Sequence, residues 1–223
     1  KDGAYAHEGG IFYAAGGATP KAGGAERIAG VAEMALVGSH NLENILPATV
    51  IAREFEVKYD DIAEVIRTFK NLPYRLQFVR EVGGIEFYND SYSTTPETSM
   101  AAVDSFDKPT VLIAGGYDKG ADYHEWAIKI MTKPNLHMVV LMGQTADKME
   151  KALVDAEAKL GEAQSYPTKI LRRKRLEDAV IDAYAESDEG GVVIMSPAAA
   201  SFDMFKDYKE RGNEFITHVK KLK

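Results

Sequence analysis

Cysteine is absent from the 223 residues, which excludes disulfides and thiolate-held metals from this chain's chemistry. A positive surplus is absent as well. Lys and Arg number 27 against 34 Asp and Glu, a net charge of −7, whereas general nucleic-acid affinity needs a basic surface. No apolar run approaches the ~20 residues needed to span a bilayer. The opening Lys1-Asp2-Gly3 is not a secretory signal. The expectation is a cytoplasmic protein with no nucleic-acid and no membrane partner. No glycine-rich loop ending in Gly-Lys-Ser/Thr occurs, so a nucleoside triphosphate would lack its usual cradle here. The five histidines show no metal-ligand spacing, and no nucleophile–base pair is legible. No catalytic residue and no metal ligand is assigned. Methionine does not open the chain, and Gly3 to Tyr13 reads as a hairpin entered in mid-sheet, so a piece of something larger is expected.

The hydrophobic share of 45% and charged share of 27% are those of an ordinary globular protein. Short strands are expected at Ala4 to Ala6, Gly10 to Ala14 and Arg27 to Leu36, with a loop over Gly16 to Gly24. Helical spacing follows. Ile45, Ala48, Thr49, Ala52 and Phe55 share one face, as do Ile62, Val65, Ile66 and Phe69. Asp61 with Glu64 reads as a capping box for the second helix. Pro47 fits the first helix only in its opening turn. Asn71-Leu72-Pro73 marks a boundary.

Beyond it Leu76 to Val82 and Ile85 to Tyr88 flank Gly83-Gly84, a hairpin signal. Helices and short apolar strands then alternate up to a final helix from Phe202 to Leu222. That rhythm predicts an α/β fold, Rossmann-like, with a mostly parallel sheet covered by helices on both faces. Ligands of such sheets sit at the carboxyl ends of the strands. Arg172-Arg173-Lys174-Arg175 reads as a solvated strand edge.

Four segments carry the candidate chemistry. In Gly38-Ser39-His40-Asn41-Leu42-Glu43-Asn44, Asn41 or Asn44 serves either as a helix N-cap or as an amide for a nucleobase edge. Asn89 to Pro96 is either turn and cap chemistry or a site. In the second case Asp90 accepts from ligand hydroxyls, and Thr94 with the helix N-terminus meets an anion. Gly115-Gly116-Tyr117-Asp118-Lys119-Gly120 follows a buried strand and is either a surface turn or a loop that presents Lys119 as a point charge for a carboxylate or phosphate. Met195 to Lys206 reads as strand, small-residue loop and helix N-terminus, with free N–H groups for an anion. The apolar face of the final helix that includes Tyr208 reads as core, with Tyr208 either part of it or lining a pocket from the first turns.

In order, these segments resemble the Mur ligase family, and within it the D-glutamate-adding branch. The carriers are Gly38 to Asn44, Leu72-Pro73-Tyr74-Arg75, Asn89-Asp90-Ser91, Gly115 to Gly120 and Ser196 to Lys206. The resemblance implies that residues 1–73 are the C-terminal part of a central ATP-binding domain. Residues 74–223 would be a C-terminal Rossmann-like domain that takes the incoming amino acid. It implies ATP and Mg2+ as cofactors, with the phosphate loop and Mg2+ ligands outside this chain. The substrates implied are ATP, D-glutamate and UDP-N-acetylmuramoyl-L-alanine, joined through an acyl phosphate in peptidoglycan precursor synthesis. Asn41, Asn44, Arg75 and Asp90 would serve the nucleotide, Asp90 through the ribose hydroxyls. Thr94, Lys119, Ser201, the backbone at Phe202, and Tyr208 would hold D-glutamate. Tyr92 stands where the family pattern Asn-Asp-Ser-Lys-Ala-Thr-Asn has lysine, and Tyr74 where the family's Leu-Pro-His-Arg has histidine. A Mur-type ligase for another amino acid and a non-catalytic anion- or partner-binding module are the alternatives.

Overall fold

The computed structural model describes residues 2–16, 24–161, 165–166 and 168–223. Most of the loop expected over Gly16 to Gly24 lies outside them. The chain divides into two compact units, Lys1–Asn71 and Leu72–Lys223.

The first unit opens with an antiparallel sheet in the order β1 (Gly3–His7), β2 (Gly10–Ala14), β3 (Ala25–Gly30). Two helices follow, α1 (His40–Glu54) and α2 (Tyr59–Thr68). Ile11, Tyr13, Ile28, Ile45, Ile62 and Ile66 form its core. The third strand is shorter than expected. It stops at Gly30, whose N–H donates to Glu33 Oε1 at 2.8 Å, and Val31–Glu33 turns as a 3-10 helix. Pro47 lies inside α1, not in its first turn. Its missing N–H leaves the Glu43 carbonyl without an intrahelical partner, but both residues are exposed, so water can take that bond. The capping box at Asp61 and Glu64 does not form, because α2 begins two residues before Asp61, with Lys58 at the N-cap. The buried face of α2 is Ile62, Ala63 and Ile66; Val65 and Phe69 are exposed, as is Phe55 after α1.

The second unit is built on a six-stranded sheet in the order β4-β5-β9-β6-β7-β8. A hairpin, β4 (Gln77–Val82) and β5 (Ile85–Asn89), turns at Gly83 and Gly84, both at positive φ (57° and 77°). Such a two-residue turn twists with the strands it joins. The remaining strands, β6 (Thr110–Gly115), β7 (Leu136–Met142), β8 (Lys169–Arg172) and β9 (Val192–Met195), run parallel to β5. The helices are α3 (Pro96–Val103), α4 (His124–Thr132), α5 (Ala146–Leu160), α6 (Leu176–Ala185) and α7 (Tyr208–Lys221). α4 packs against both α3 and α5, and α6 packs against α7. Val111, Ile113, Met138, Val140, Val193 and Phe87 meet α6 and α7 through Leu176, Val180, Phe215 and Val219. The intervening Leu112, Val139, Leu141 and Ile194 are equally buried, the uniform burial of a parallel sheet covered on both faces.

The final helix starts at Tyr208, six residues later than expected. Asp207 is the reason: its carboxylate accepts the N–H groups of Lys209 and Glu210, each at 2.9 Å. Residues 201–207 form turns, with the Ser201 carbonyl accepting from Met204 and Phe205. The helix N-terminus therefore does not sit at Phe202. The basic cluster lies on and just after the edge strand β8 and is answered by acids: Arg172 pairs with Asp147 and Glu150, Arg173 with Asp182, and Arg175 with Glu177.

Candidate functional site

β9, last in sequence, inserts between β5 and β6. The chain leaves β6 toward β7 but leaves β9 toward α7, so the strand order reverses between these neighbours. A crevice at such a point is where open α/β sheets take ligands. Here the loops after β5, β6, β7 and β9 are laced together. Gly115 N–H donates to the Pro197 carbonyl at 2.7 Å, and Tyr117 N–H to the Ala200 carbonyl at 2.8 Å. Ala198 N–H reaches the Ser93 carbonyl at 3.0 Å, and Gly116 N–H reaches Thr145 Oγ1 at 3.0 Å. Glycine at 116 is what allows this approach: a Cβ there would lie 2.1 Å from the Ala200 carbonyl oxygen.

Beneath the loops lies Arg211, 3% exposed, on the buried face of α7. Its Nε donates to Ser91 Oγ and its Nη2 to the Ser91 carbonyl; Nη1 donates to the carbonyls of Ala199 and Ala200. One guanidinium thus ties α7 to the loops after β5 and β9. Burial lowers its pKa to about 10, opposed by the charges of Asp203 and Asp90. It lines a cavity of about 10 Å³ with Asp203, whose Oδ1 is buried without a partner while Oδ2 accepts Gln144 N–H at 2.9 Å.

Asp90 is 3% exposed. Its Oδ1 accepts Leu76 N–H at 3.1 Å, its Oδ2 accepts the Ser196 hydroxyl at 2.7 Å, and Ser93 also bonds to it. Burial raises its pKa to about 6, against the lowering effect of these bonds and of Arg75. These bonds take three of the carboxylate's roughly four acceptor sites, and through the Leu76 N–H they fix the turn that carries Arg75. Tyr74 (φ 66°) and Leu76 (φ 41°) bracket Arg75 in left-handed backbone, a strained arrangement for side-chain-bearing residues. Tyr92 N–H donates to the Tyr74 carbonyl at 3.0 Å, so the turn is pinned from two sides.

The Arg75 guanidinium lies 4.2 Å from the centre of the Tyr92 ring. Tyr92 meets Tyr208 edge-on at 4.8 Å, and Tyr208 meets Tyr74 edge-on at 5.7 Å. Exposed Lys119 has its Nζ 5.3 Å from the centre of the Phe202 ring, and Tyr117 packs edge-on against the same ring at 6.1 Å. Phe202 is 59% exposed, so Lys119 is parked on the surface of the crevice and not sunk in it. Ser201 is buried and Thr94 half-buried on the laced loops. Thr94, Lys119, Ser201, Phe202 and Tyr208 thus belong to one interlinked set of loops, and Arg75 joins it through Tyr92.

Asn41 and Asn44 lie in the first unit, one helical turn apart on α1. Neither is its N-cap, which is Ser39. Asn41 Nδ2 donates to the Val37 carbonyl at 2.8 Å, and Asn44 Nδ2 to Asn41 Oδ1 at 3.2 Å. Asn44 is exposed. Among the described residues no group of three His, Asp or Glu side chains is arranged to hold a metal ion.

Arg211 escaped the sequence reading. The signal was present: on α7 it shares a face with Tyr208, Gly212, Phe215 and Val219, and a lone cation on an apolar face implies a buried hydrogen-bonding task. Asp203 lay within a noted motif but carried no visible sign of its role.

Comparison with known proteins agrees with this architecture. A family profile described as "Mur ligase, glutamate ligase domain" matches residues 74–199. A UDP-N-acetylmuramoylalanine–D-glutamate ligase of Thermoanaerobacter sp. (strain X514) is 39% identical over 224 positions, covering 100% of this chain and 46% of that protein. Its namesake in Acetivibrio thermocellus is 43% identical over 188 positions, covering 84% of this chain and 39% of that protein. The chain spans about half the length of the curated relatives it matches. Among solved structures, UDP-N-acetylmuramate-alanine ligase from Thermotoga maritima aligns with a TM-score of 0.61 at 14% identity, over 97% of this chain and 44% of that one. MurF ligase from the same organism, in complex with ADP, gives 0.58 at 15% identity over 98% and 46%. These two establish likeness of fold. With its reversed strand order, its latched loops and a family profile across most of the second unit, the chain belongs to the Mur ligase family.

Proposed function

We propose that this chain is the amino-acid-adding portion of an ATP-dependent ligase that joins D-glutamate to UDP-N-acetylmuramoyl-L-alanine in peptidoglycan precursor synthesis. In this reading residues 1–73 belong to the ATP-binding domain and residues 74–223 form the domain that receives the amino acid. The observation that carries it is the lacing of the Lys119 loop to the Ser201 loop by the Tyr117–Ala200 bridge at the reversal of strand order. That lacing holds an exposed cation beside small-residue backbone, which suits the carboxylates of an acidic amino acid.

The chemistry is acyl transfer. ATP converts the alanyl carboxylate to an acyl phosphate. The glutamate amine forms the new C–N bond as the C–O bond to phosphate breaks, and the amine gives up a proton. This chain's groups bind and orient. Lys119, with Thr94, Ser201, the Phe202 backbone and Tyr208, holds glutamate. Arg75 meets phosphate oxygens, where a planar, permanently charged fork is apt. Asn41 and Asn44 serve the adenine. Asp90 acts from behind, holding the Arg75 turn. Mg2+ would neutralise phosphate charge, but the described residues do not form a cage for it.

The test is ligation by the full reading frame encoding this chain, with ATP, Mg2+, UDP-N-acetylmuramoyl-L-alanine and D-glutamate, L-glutamate or meso-diaminopimelate in competition. Product with D-glutamate is expected, and none from the 223-residue polypeptide alone. Preference for another amino acid would replace the substrate assignment. Robust ligation by the isolated chain would overturn the division of labour.

A further inference from the structure

Arg75 stands on a turn whose two flanking residues occupy left-handed backbone. Strain of this kind costs about 1–3 kcal/mol per residue and persists only where surroundings over-determine it. Three surroundings do so. Asp90 takes the Leu76 N–H, Tyr92 N–H grips the Tyr74 carbonyl, and the Tyr92 ring lies under the Arg75 guanidinium at 4.2 Å. The last is a contact with the arginine side chain itself, and a planar guanidinium laid over a ring loses rotamer freedom.

The ring is itself held. Tyr208 braces it edge-on at 4.8 Å, and the Ser91 hydroxyl donates to the Tyr208 carbonyl at 2.8 Å. Ser91, immediately before Tyr92, is fully buried and gripped twice by Arg211. Rigidity thus passes from the buried Arg211 through Ser91 and Tyr208 to Tyr92, and ends on an exposed cation. A structural reason for a tyrosine that is 43% exposed would not require this alignment.

We propose that Tyr92 is a positioning residue for Arg75, fixing the guanidinium in the orientation in which it meets phosphate oxygens. The proposal rests on the reading of Arg75 as the phosphate-facing cation.

Two measurements test it separately. In the 223-residue chain, NMR of the Arg75 side chain should show its Hδ and Hε signals displaced upfield by the Tyr92 ring. Tyr92→Phe should keep the displacement, and Tyr92→Leu should abolish it. In the full reading frame, Tyr92→Leu should lower kcat/KM for ATP by ~3–10-fold, in line with an exposed-to-partly-desolvated cation–π contact. Tyr92→Phe should restore it to within ~2-fold, on the same cation–π basis, and Tyr92→Lys should not restore it. Equal behaviour of the Phe and Leu variants in either measurement overturns the positioning role. If Arg75→Ala itself leaves kcat/KM for ATP unchanged, the phosphate reading of Arg75 falls first, whatever the NMR shows.

Discussion

Arg211 holds Ser91 at two points, its Nε donating to the hydroxyl at 3.0 Å and its Nη2 to the carbonyl at 2.9 Å. Nη1 meanwhile spans the carbonyls of Ala199 and Ala200. The charge is stabilised by these carbonyl dipoles and by the charges of Asp203 and Asp90. Arg211→Met would remove the donor from the carbonyls of Ser91 and Ala199, at about 1–3 kcal/mol for each group that water cannot reach, while the Ala200 carbonyl keeps the Tyr117 N–H. Calorimetry should find the unfolding midpoint lowered by roughly 6–12 °C for a net loss of ~3 kcal/mol. Arg211→Lys should recover only part, since an ammonium lacks the five-donor fork. A lysine variant as stable as the parent would show that the fork geometry is not what matters.

The sheet was legible because β6, β7 and β9 are short, mostly apolar runs and its hairpin is marked by two glycines. Leu136–Met142 is such an apolar run, and Pro96 in the first turn of α3 is an equally local signal. The start of α7 was not legible. Phe202 and Phe205 extend the helical apolar spacing backward, and only the capping geometry of Asp207 decides against them. Pro47 misled in the opposite sense, since an exposed helix face tolerates the lost hydrogen bond that a buried one would not. For the site, loop segments could be named from residue types, but not their interior. Asp90 reads as a ligand residue in sequence, and only the fold shows that it also accepts from Leu76, Ser93 and Ser196 of its own chain.

Asp90 should leave a signature in stability against pH. Burial lifts its pKa from 3.8 to about 6, so the folded chain holds this proton more tightly than the unfolded one. The stability contributed by that proton is full below about pH 4 and is lost as pH rises through 6. Asp90→Asn keeps an uncharged group that still accepts from Leu76, and so does not undergo that loss. The variant's unfolding midpoint, measured relative to the parent, should therefore climb between pH 4 and pH 6 and level off above. A difference independent of pH would mean that Asp90 titrates as an ordinary carboxylate.

Lys119 should separate amino-acid use from nucleotide use. Its Nζ rests by the Phe202 ring, an exposed contact worth about 0.5–1 kcal/mol, which an incoming carboxylate can outbid with a charge-assisted hydrogen bond of about 1.5–3 kcal/mol. Removing the cation by Lys119→Ala, in the full reading frame, should raise KM for D-glutamate by ~10–100-fold. KM for ATP should change by less than ~2-fold, because the loops that carry Arg75 and Lys119 are joined by backbone bonds that the substitution leaves intact. Phe202→Leu removes the resting place but not the cation, and should alter KM for D-glutamate by no more than ~5-fold. Steady-state kinetics with each substrate varied in turn reads all three. Parallel losses for glutamate and ATP in Lys119→Ala would point to a disturbed loop, and a silent Lys119→Ala would remove the lysine from the amino-acid site altogether.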